Sequence, residues 1–110
     1  MTGLPVDISP AHAEIVRDVL RRTAPLGSRV FVFGSRATGK ARRTSDLDLA
    51  IDAGREITFS ELARMSDEFD EAPVPWSIDI IDLRGITPHF RSIIENELVP
   101  FETVEGMAAN

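Results

Sequence analysis

Apolar residues recur with the period of an α-helix in three segments of the chain and with the period of a β-strand in three others. The predicted helices are residues 9–24, a segment that begins near Thr58, and a segment that begins at Thr87 and runs to Leu98. The predicted strands are residues 29–33, 46–52 and 77–83. The order is α-β-loop-β-α-β-α, which predicts an α/β fold (an α+β layer structure) with a three-stranded sheet flanked by helices.

The ends of these segments carry the expected signals. Ser9 precedes Pro10, a pair typical of a helix start, and Thr58 with Glu61 has the spacing of a capping box. Residues 34–45 are rich in Gly, Ser, Thr, Lys and Arg without apolar periodicity, so we predict a loop with room for one short helical turn. We expect one domain over residues 1–110, with a frayed tail at residues 105–110.

Composition narrows the class of protein. The 110 residues are 43% hydrophobic and 27% charged, which is typical of a globular protein, and no apolar stretch approaches the length of a membrane span. The first residues lack the basic and apolar regions of a secretory signal. Cysteine is absent, which excludes disulfides and thiolate metal sites. We therefore expect a cytoplasmic protein that does not contact a membrane.

The charge distribution indicates a small anionic ligand. The formal net charge of −6 argues against direct binding of a long nucleic acid, which requires a basic face. Four basic residues nevertheless cluster within eight positions, namely Arg36, Lys40, Arg42 and Arg43. A local basic cluster in an acidic protein suits a triphosphate better than a duplex, although a solvated loop would have the same composition.

Carboxylates recur at positions where a strand directs them to one face. Asp46 and Asp48 are two residues apart in a predicted strand, so their side chains share a face and repel each other unless a cation lies between them. Hard divalent cations such as Mg²⁺ are the usual partners. The alternative is the solvated face of an edge strand. Asp79 and Asp82 lie on opposite faces of the next strand; the pattern alone does not choose between them, and Asp82 suits a solvated strand end.

A Gly34-Ser35 pair directly follows the first predicted strand. Glycine permits a tight turn and close backbone approach to a ligand, and serine adds a hydroxyl and an amide. The spacing Gly-Ser, ten residues, Asp46-Leu-Asp48 resembles the signature of the polymerase β-like nucleotidyltransferase superfamily. The fuller string FGSRATGKARRTSDLDLAI and the later segment WSIDIIDL resemble its minimal branch. This resemblance implies the polymerase β-like fold with a small mixed sheet.

The resemblance also implies roles for individual residues. Gly34 and Ser35 hold the triphosphate of ATP, while two Mg²⁺ ions are held by Asp46, Asp48 and Asp79, which are also the catalytic residues. Arg36 and Arg43 are further candidates for contact with the phosphates. Roles for Lys40, Arg42 and Asp82 stay open.

The function implied by the resemblance is transfer of AMP from ATP to a tyrosine of a HEPN-domain toxin, for which the chain acts as antitoxin. One alternative is an antitoxin that neutralises its toxin by stoichiometric binding. Another is an adenylyltransferase of a small molecule such as an aminoglycoside, although the chain lacks the added helical domain that builds the acceptor pocket. Self-association or a hetero-complex is compatible with a chain of this size.

Overall fold

The computed structural model describes residues 6–105 and has the predicted α/β order. The elements are α1 (Pro10–Thr23), β1 (Arg29–Phe33), α2 (Ser35–Thr38), β2 (Leu47–Asp52), α3 (Phe59–Asp70), β3 (Ile78–Asp82), α4 (Pro88–Ile94), a 3-10 turn (Glu95–Glu97) and β4 (Val99–Thr103). The short α2 is the single helical turn expected within the 34–45 loop. The expected frayed tail falls, except for Glu105, outside the described residues.

The sheet is mixed and has four strands in the order β3-β2-β1-β4, so the prediction of three strands was wrong. Strand β1 pairs antiparallel with both β2 and β4, and β2 pairs parallel with β3. The additional strand β4 lies at one edge and β3 at the other. Asp48, the catalytic candidate on β2, therefore lies inside the sheet, whereas Asp79 lies on an edge strand.

Pro100 explains why β4 is hard to recognise in the sequence. Proline cannot donate to a strand ladder and occurs in sheets mainly at edges and bulges. Pro100 lies at both kinds of position, because β4 is an edge strand and its register with β1 shifts where Phe31 pairs with Pro100. The strand is held at its far end by Val104, whose amide donates to the Ser28 carbonyl at 2.8 Å.

Caps fix both long helices where the sequence predicted them. The Ser9 hydroxyl accepts from the His12 amide at 3.2 Å at the start of α1. At α3 the capping box is complete: the Glu61 amide donates to the Thr58 hydroxyl at 3.1 Å, and the Thr58 amide donates to Glu61 Oε1 at 2.9 Å. These bonds satisfy amides that have no partner within a helix.

The sheet buries apolar side chains on both faces. Helices α1 and α3 cover one face, where the larger cluster includes Val16, Leu49 and Met65, each fully buried. The other face is covered in part by α4, whose Ile94 packs with Ala50 of β2. Because side chains alternate along a strand, Asp48 lies on the same face as Ala50, beside the area that α4 covers.

The last helix is shorter and less buried than its apolar pattern predicted. It ends at Ile94, and Leu98 is already in extended backbone leading into β4. Of its apolar residues Ile94 is buried, whereas Phe90 is 36% and Ile93 55% exposed. An apolar strip on α4 therefore faces outward on the same side of the sheet as Asp48. No helix within residues 6–105 has the length and apolar character needed to cross a bilayer.

Candidate active site

The turn at the end of β1 brings the backbone against a carboxylate of β2. Gly34 has φ 79° and ψ −156°, a conformation essentially restricted to glycine. It follows Phe33, which is the partner of Asp48 in the β1–β2 register. A Cβ at Gly34 would collide with the Asp48 carboxylate. Glycine is therefore required here both for the backbone conformation and for the space that Asp48 occupies.

The third carboxylate lies directly beside Asp48. In the parallel pairing of β2 with β3, Asp48 is the register partner of Asp79, so the two side chains share one face of the sheet. Asp46 lies just before β2 and is exposed, as is Asp79. The structure thus brings Asp46, Asp48, Asp79 and the Gly34-Ser35 turn to one end of the sheet.

Partial burial and the neighbouring carboxylates destabilise the charged form of Asp48. Burial is the largest cause of a raised pKa at Asp48, because it disfavours the charged form. The negative charges of Asp79, Asp46 and Glu97 raise that pKa further. A divalent cation would relieve this repulsion, and an all-oxygen donor set is the kind that Mg²⁺ prefers. The residues present therefore fit such an ion.

The carboxylates do not form a closed cage on their own. Within residues 6–105 no group of three or more acidic, histidine or cysteine side chains is gathered tightly enough to hold a metal ion. Mg²⁺ in phosphoryl-transfer sites is usually bound by one or two carboxylates together with substrate phosphates and water. An open set such as Asp48 and Asp79 beside a phosphate-binding turn agrees with that arrangement.

Arg36 does not face the site, which corrects the expectation that it contacts phosphate. Its side chain is buried, with 5% exposure, and its guanidinium donates to the backbone carbonyls of Asp7 at 2.8 Å and Ser45 at 2.7 Å. The guanidinium also donates to the carbonyl of Arg43 at 3.1 Å, and its Cζ lies over the Trp76 ring, 4.6 Å from the ring centroid. Because its donors are engaged in this way, Arg36 holds the loop that leads to Asp46.

The other basic residues of the loop remain available to solvent. Lys40, Arg42 and Arg43 have exposed side chains. The Arg42 amide donates to the Ser45 hydroxyl at 2.8 Å, which closes a turn just before Asp46. The loop is thus internally ordered while its cationic groups stay free to move toward a ligand.

Asp82 has a structural task, so its expected place as a solvated strand end was wrong. It is 7% exposed, and its carboxylate accepts from the Ile57 amide at 2.8 Å and the Arg84 amide at 2.9 Å. These bonds fix the segment that leads into α3. Asp82 lies on the opposite face of β3 from Asp79, as their odd spacing predicts.

One acidic residue at the site was not predicted at all. Glu97, at the end of the 3-10 turn before β4, accepts a hydrogen bond from the Gly34 amide at 3.0 Å. Its segment was predicted as helix, and a single glutamate at a helix end carries no recognisable signal. Its position depends on β4, which returns the chain to the edge of β1.

Comparison with known proteins agrees with this geometry. A family model described as polymerase beta, nucleotidyltransferase matches residues 18–101. The chain is also 35% identical over 100 residues to MntA of Haemophilus influenzae, a protein adenylyltransferase by name; the match covers 91% of this chain and 87% of that protein. The matched segments contain the turn and all three carboxylates.

Solved structures show the same fold. A structure assigned as a minimal nucleotidyltransferase superimposes with a TM-score of 0.58 at 33% identity, covering 82% of this chain and 89% of the other. A toxin–antitoxin crystal structure with AMP-PNP superimposes with a TM-score of 0.69 at 19% identity, covering 86% of this chain and 74% of the other. At 19% identity the second likeness concerns the fold alone.

Proposed function

The chain belongs to the polymerase β nucleotidyltransferase family, and from this premise we propose that it transfers AMP from ATP to a hydroxyl group of a partner protein. The observation that carries the proposal is the juxtaposition of Asp48 with Asp79 on one side and with the Gly34 turn on the other. Carboxylates for a cation and backbone for phosphate then adjoin each other, as nucleotidyl transfer requires.

In this proposal the β1–α2 turn binds the triphosphate. The amides at the start of a helix have no partner within it, and the turn at Gly34 leaves the backbone without a side chain in the way of a ligand. The Ser35 hydroxyl adds a further donor. Arg43, with Lys40 or Arg42, is a candidate for contact with the outer phosphates from the neighbouring loop.

Asp46, Asp48 and Asp79 are the residues that would hold two Mg²⁺ ions. Such ions, when bound, increase the acidity of the attacking hydroxyl and stabilise the charge of the departing pyrophosphate. Asp79 lies on the exposed edge strand, where an acceptor can approach, so it is also the candidate to accept the hydroxyl proton. Asp48, between Asp79 and the Gly34 turn, keeps both halves of the site together.

The acceptor we propose is a tyrosine of a HEPN-domain toxin, which makes this chain an antitoxin. Support comes from the H. influenzae relative, whose name gives a protein as the acceptor. The toxin–antitoxin structure of the same fold is compatible with such a partner. These relatives favour a protein acceptor over a small molecule such as an aminoglycoside. Location in the cytoplasm stays a prediction.

The proposal is tested by following each phosphate of ATP. The purified chain is incubated with Mg²⁺, its co-expressed partner protein, and ATP labelled at either the α- or the γ-phosphate. We expect label on the partner from α-labelled ATP and none from γ-labelled ATP. Label from the γ-phosphate would indicate a kinase and contradict the proposal, as would an unlabelled partner under both conditions.

A double variant separates catalysis from binding. Asp46→Asn with Asp48→Asn should abolish label transfer while the complex with the partner still forms. The double variant is then compared with the wild-type chain in silencing the toxin. If the two are equally effective, neutralisation depends on stoichiometric binding, and the proposal of a catalytic antitoxin fails. Asp67→Asn, an exposed position on α3 away from the site, serves as the control for loss of a negative charge.

A further inference from the structure

The Glu97 carboxylate lies where a nucleotide phosphate is expected. The Gly34 amide belongs to the turn that the proposed function assigns to phosphate binding, and it donates to Glu97 Oε1 at 3.0 Å. A backbone amide has a single N–H, so it cannot fully serve a phosphate oxygen and a carboxylate at the same time. The inference below rests on the proposed function in this respect.

The sheet order places Glu97 on the phosphate side of the site. Strand β2 lies between β3, which carries Asp79, and β1, which leads to Gly34. Glu97 bonds to Gly34, so Asp48 separates it from Asp79. A general base for the acceptor hydroxyl would be expected on the Asp79 side. The position of Glu97 instead matches that of a group competing with the nucleotide.

The charge of Glu97 has little compensation. Among residues 6–105 no arginine or lysine forms an ion pair with it, whereas Asp48 is close enough for the Glu97 charge to contribute to its raised pKa. A triphosphate approaching the turn would therefore meet a negative charge as well as an occupied amide. Glu97 is half-buried and ends a short turn, so its side chain can rotate away without unfolding an element.

We propose that Glu97 is an intramolecular competitor for the triphosphate subsite: it occupies the Gly34 amide in the nucleotide-free protein, lowers the affinity for ATP, and is displaced when the triphosphate binds. This role sets the nucleotide concentration at which the enzyme works. The competition affects nucleotide binding and leaves the bond-making step unchanged. Glu97 therefore raises the KM for ATP without changing kcat.

The test compares nucleotide affinity among three variants by isothermal titration with a non-hydrolysable ATP analogue and Mg²⁺. Glu97→Ala removes both the hydrogen bond and the charge, and we expect it to lower the Kd by about three- to tenfold, which corresponds to the usual net contribution of one hydrogen bond that competes with the ligand. Glu97→Gln keeps an acceptor oxygen without the charge and should give a smaller decrease.

Glu95→Ala is the matched control, since Glu95 lies in the same turn, is exposed and carries the same charge. It should leave the Kd within about twofold of the unmodified chain, because a charge exposed to solvent is strongly screened. An equal gain from both variants would reduce the effect to general charge and overturn the proposal. Inorganic triphosphate as a second titrant should show the same order of affinities, because the competition concerns phosphate and not the base.

Two further outcomes would overturn the inference. A Kd that is unchanged or higher in Glu97→Ala would mean that Glu97 does not compete, or that it helps to hold the cation. A fall in kcat with unchanged KM would make it a catalytic group. Failure of the unmodified chain to bind any triphosphate would instead contradict the proposed function itself. Thermal unfolding of each variant checks that the fold is retained.

Discussion

At the scale of single residues, the site depends on one close approach between backbone and side chain. Gly34 turns the chain at φ 79°, and the Asp48 carboxylate fills the space that any larger residue would need. The same approach keeps the proposed phosphate-binding amide next to the proposed metal ligand. Small changes at this contact are therefore expected to affect activity.

Gly34→Ala is predicted to reduce nucleotidyl transfer at least about a hundredfold, because the added methyl group collides with the Asp48 carboxylate and displaces it from its position in the site. The control is Gly27→Ala, which also has a positive φ, of 84°, but has nothing within 4 Å of the added Cβ. That variant should lose about 1–2 kcal/mol of stability and retain activity. Transfer rates and denaturant unfolding measure both effects; equal activity loss in the two variants would contradict the steric explanation.

Asp48→Asn is predicted to abolish transfer and yet to stabilise the protein in the absence of divalent cations. The substitution removes a charge that is partly desolvated and repelled by Asp79, Asp46 and Glu97. We therefore expect a higher free energy of unfolding for this variant than for the unmodified chain in EDTA. Addition of Mg²⁺ with an ATP analogue should then raise the Tm of the unmodified chain only. A loss of stability in EDTA would show that the Asp48 charge is better compensated than its surroundings indicate.

Asp52 is expected to make stability depend on acidic pH. Its carboxylate accepts from Arg84, Gly54 and Arg29, chiefly Arg84, and these bonds lower its pKa from 3.8 to about 2. A lowered pKa stabilises the fold above the unfolded value near 3.8, and this contribution is lost as the pH falls toward 2.

Asp52→Asn should therefore be less stable than the unmodified chain at pH 6, with a difference that shrinks at pH 3. Urea unfolding at both pH values tests this, with Asp67→Asn as an exposed control. A difference that does not change with pH would mean that the stabilisation comes from packing and not from charge.

At the scale of secondary-structure elements, the side chain of one buried arginine holds the loop between β1 and β2 in place. Arg36 joins the loop carbonyls of Arg43 and Ser45 to that of Asp7, before α1, and lies against Trp76. A planar guanidinium can serve several acceptors at fixed angles, which an ammonium group cannot do. The loop that delivers Asp46 is thus ordered without using its exposed basic side chains.

Arg36→Lys is predicted to destabilise the fold by about 1–3 kcal/mol, because several hydrogen bonds from a buried guanidinium to backbone carbonyls are lost. It should also raise the KM for ATP, since the loop that carries the exposed basic residues loosens. Arg64→Lys, at an exposed position on α3, should change neither quantity. If the KM stays constant while stability falls, the Arg36 contacts hold the core but do not position the loop.

The sequence predicts most elements because their signals are local. The strand 29–33 coincides with β1, and the capping box at Thr58 marks the start of α3. Strand β4 was missed because Pro100 argues against a strand, and its pairing with β1 depends on contacts distant in sequence. The end of α4 was misplaced for the same reason, since Leu98 continues the apolar pattern although the chain has already turned toward β4.

The residues of the candidate site could also be predicted from the sequence only in part. The two-residue spacing predicts a common face for Asp46 and Asp48, although Asp46 lies just before β2. The register of β2 with β3 then places Asp79 beside Asp48. Glu97 and the buried arrangement of Arg36 could not be derived, because each depends on where a loop or a turn packs in three dimensions. A basic residue next to a glycine turn can face a ligand or the interior, and sequence spacing does not distinguish the two.

At the scale of the whole molecule, the open side of the site suits a large acceptor. Asp79 is exposed on an edge strand, and α4 presents Phe90 and Ile93 on the same side of the sheet as Asp48. This exposure agrees with the proposal that the chain acts catalytically on a protein.

The most direct test of that claim is a turnover measurement. The partner protein is supplied in about tenfold molar excess over this chain with ATP and Mg²⁺, and intact-mass spectrometry counts partner molecules that have gained AMP. We predict that modified partner exceeds the amount of this chain several-fold, and that Asp46→Asn with Asp48→Asn yields none. The opposite result is a partner that carries no AMP and is silenced only when this chain is present at a one-to-one ratio. That result would contradict catalytic action on the partner.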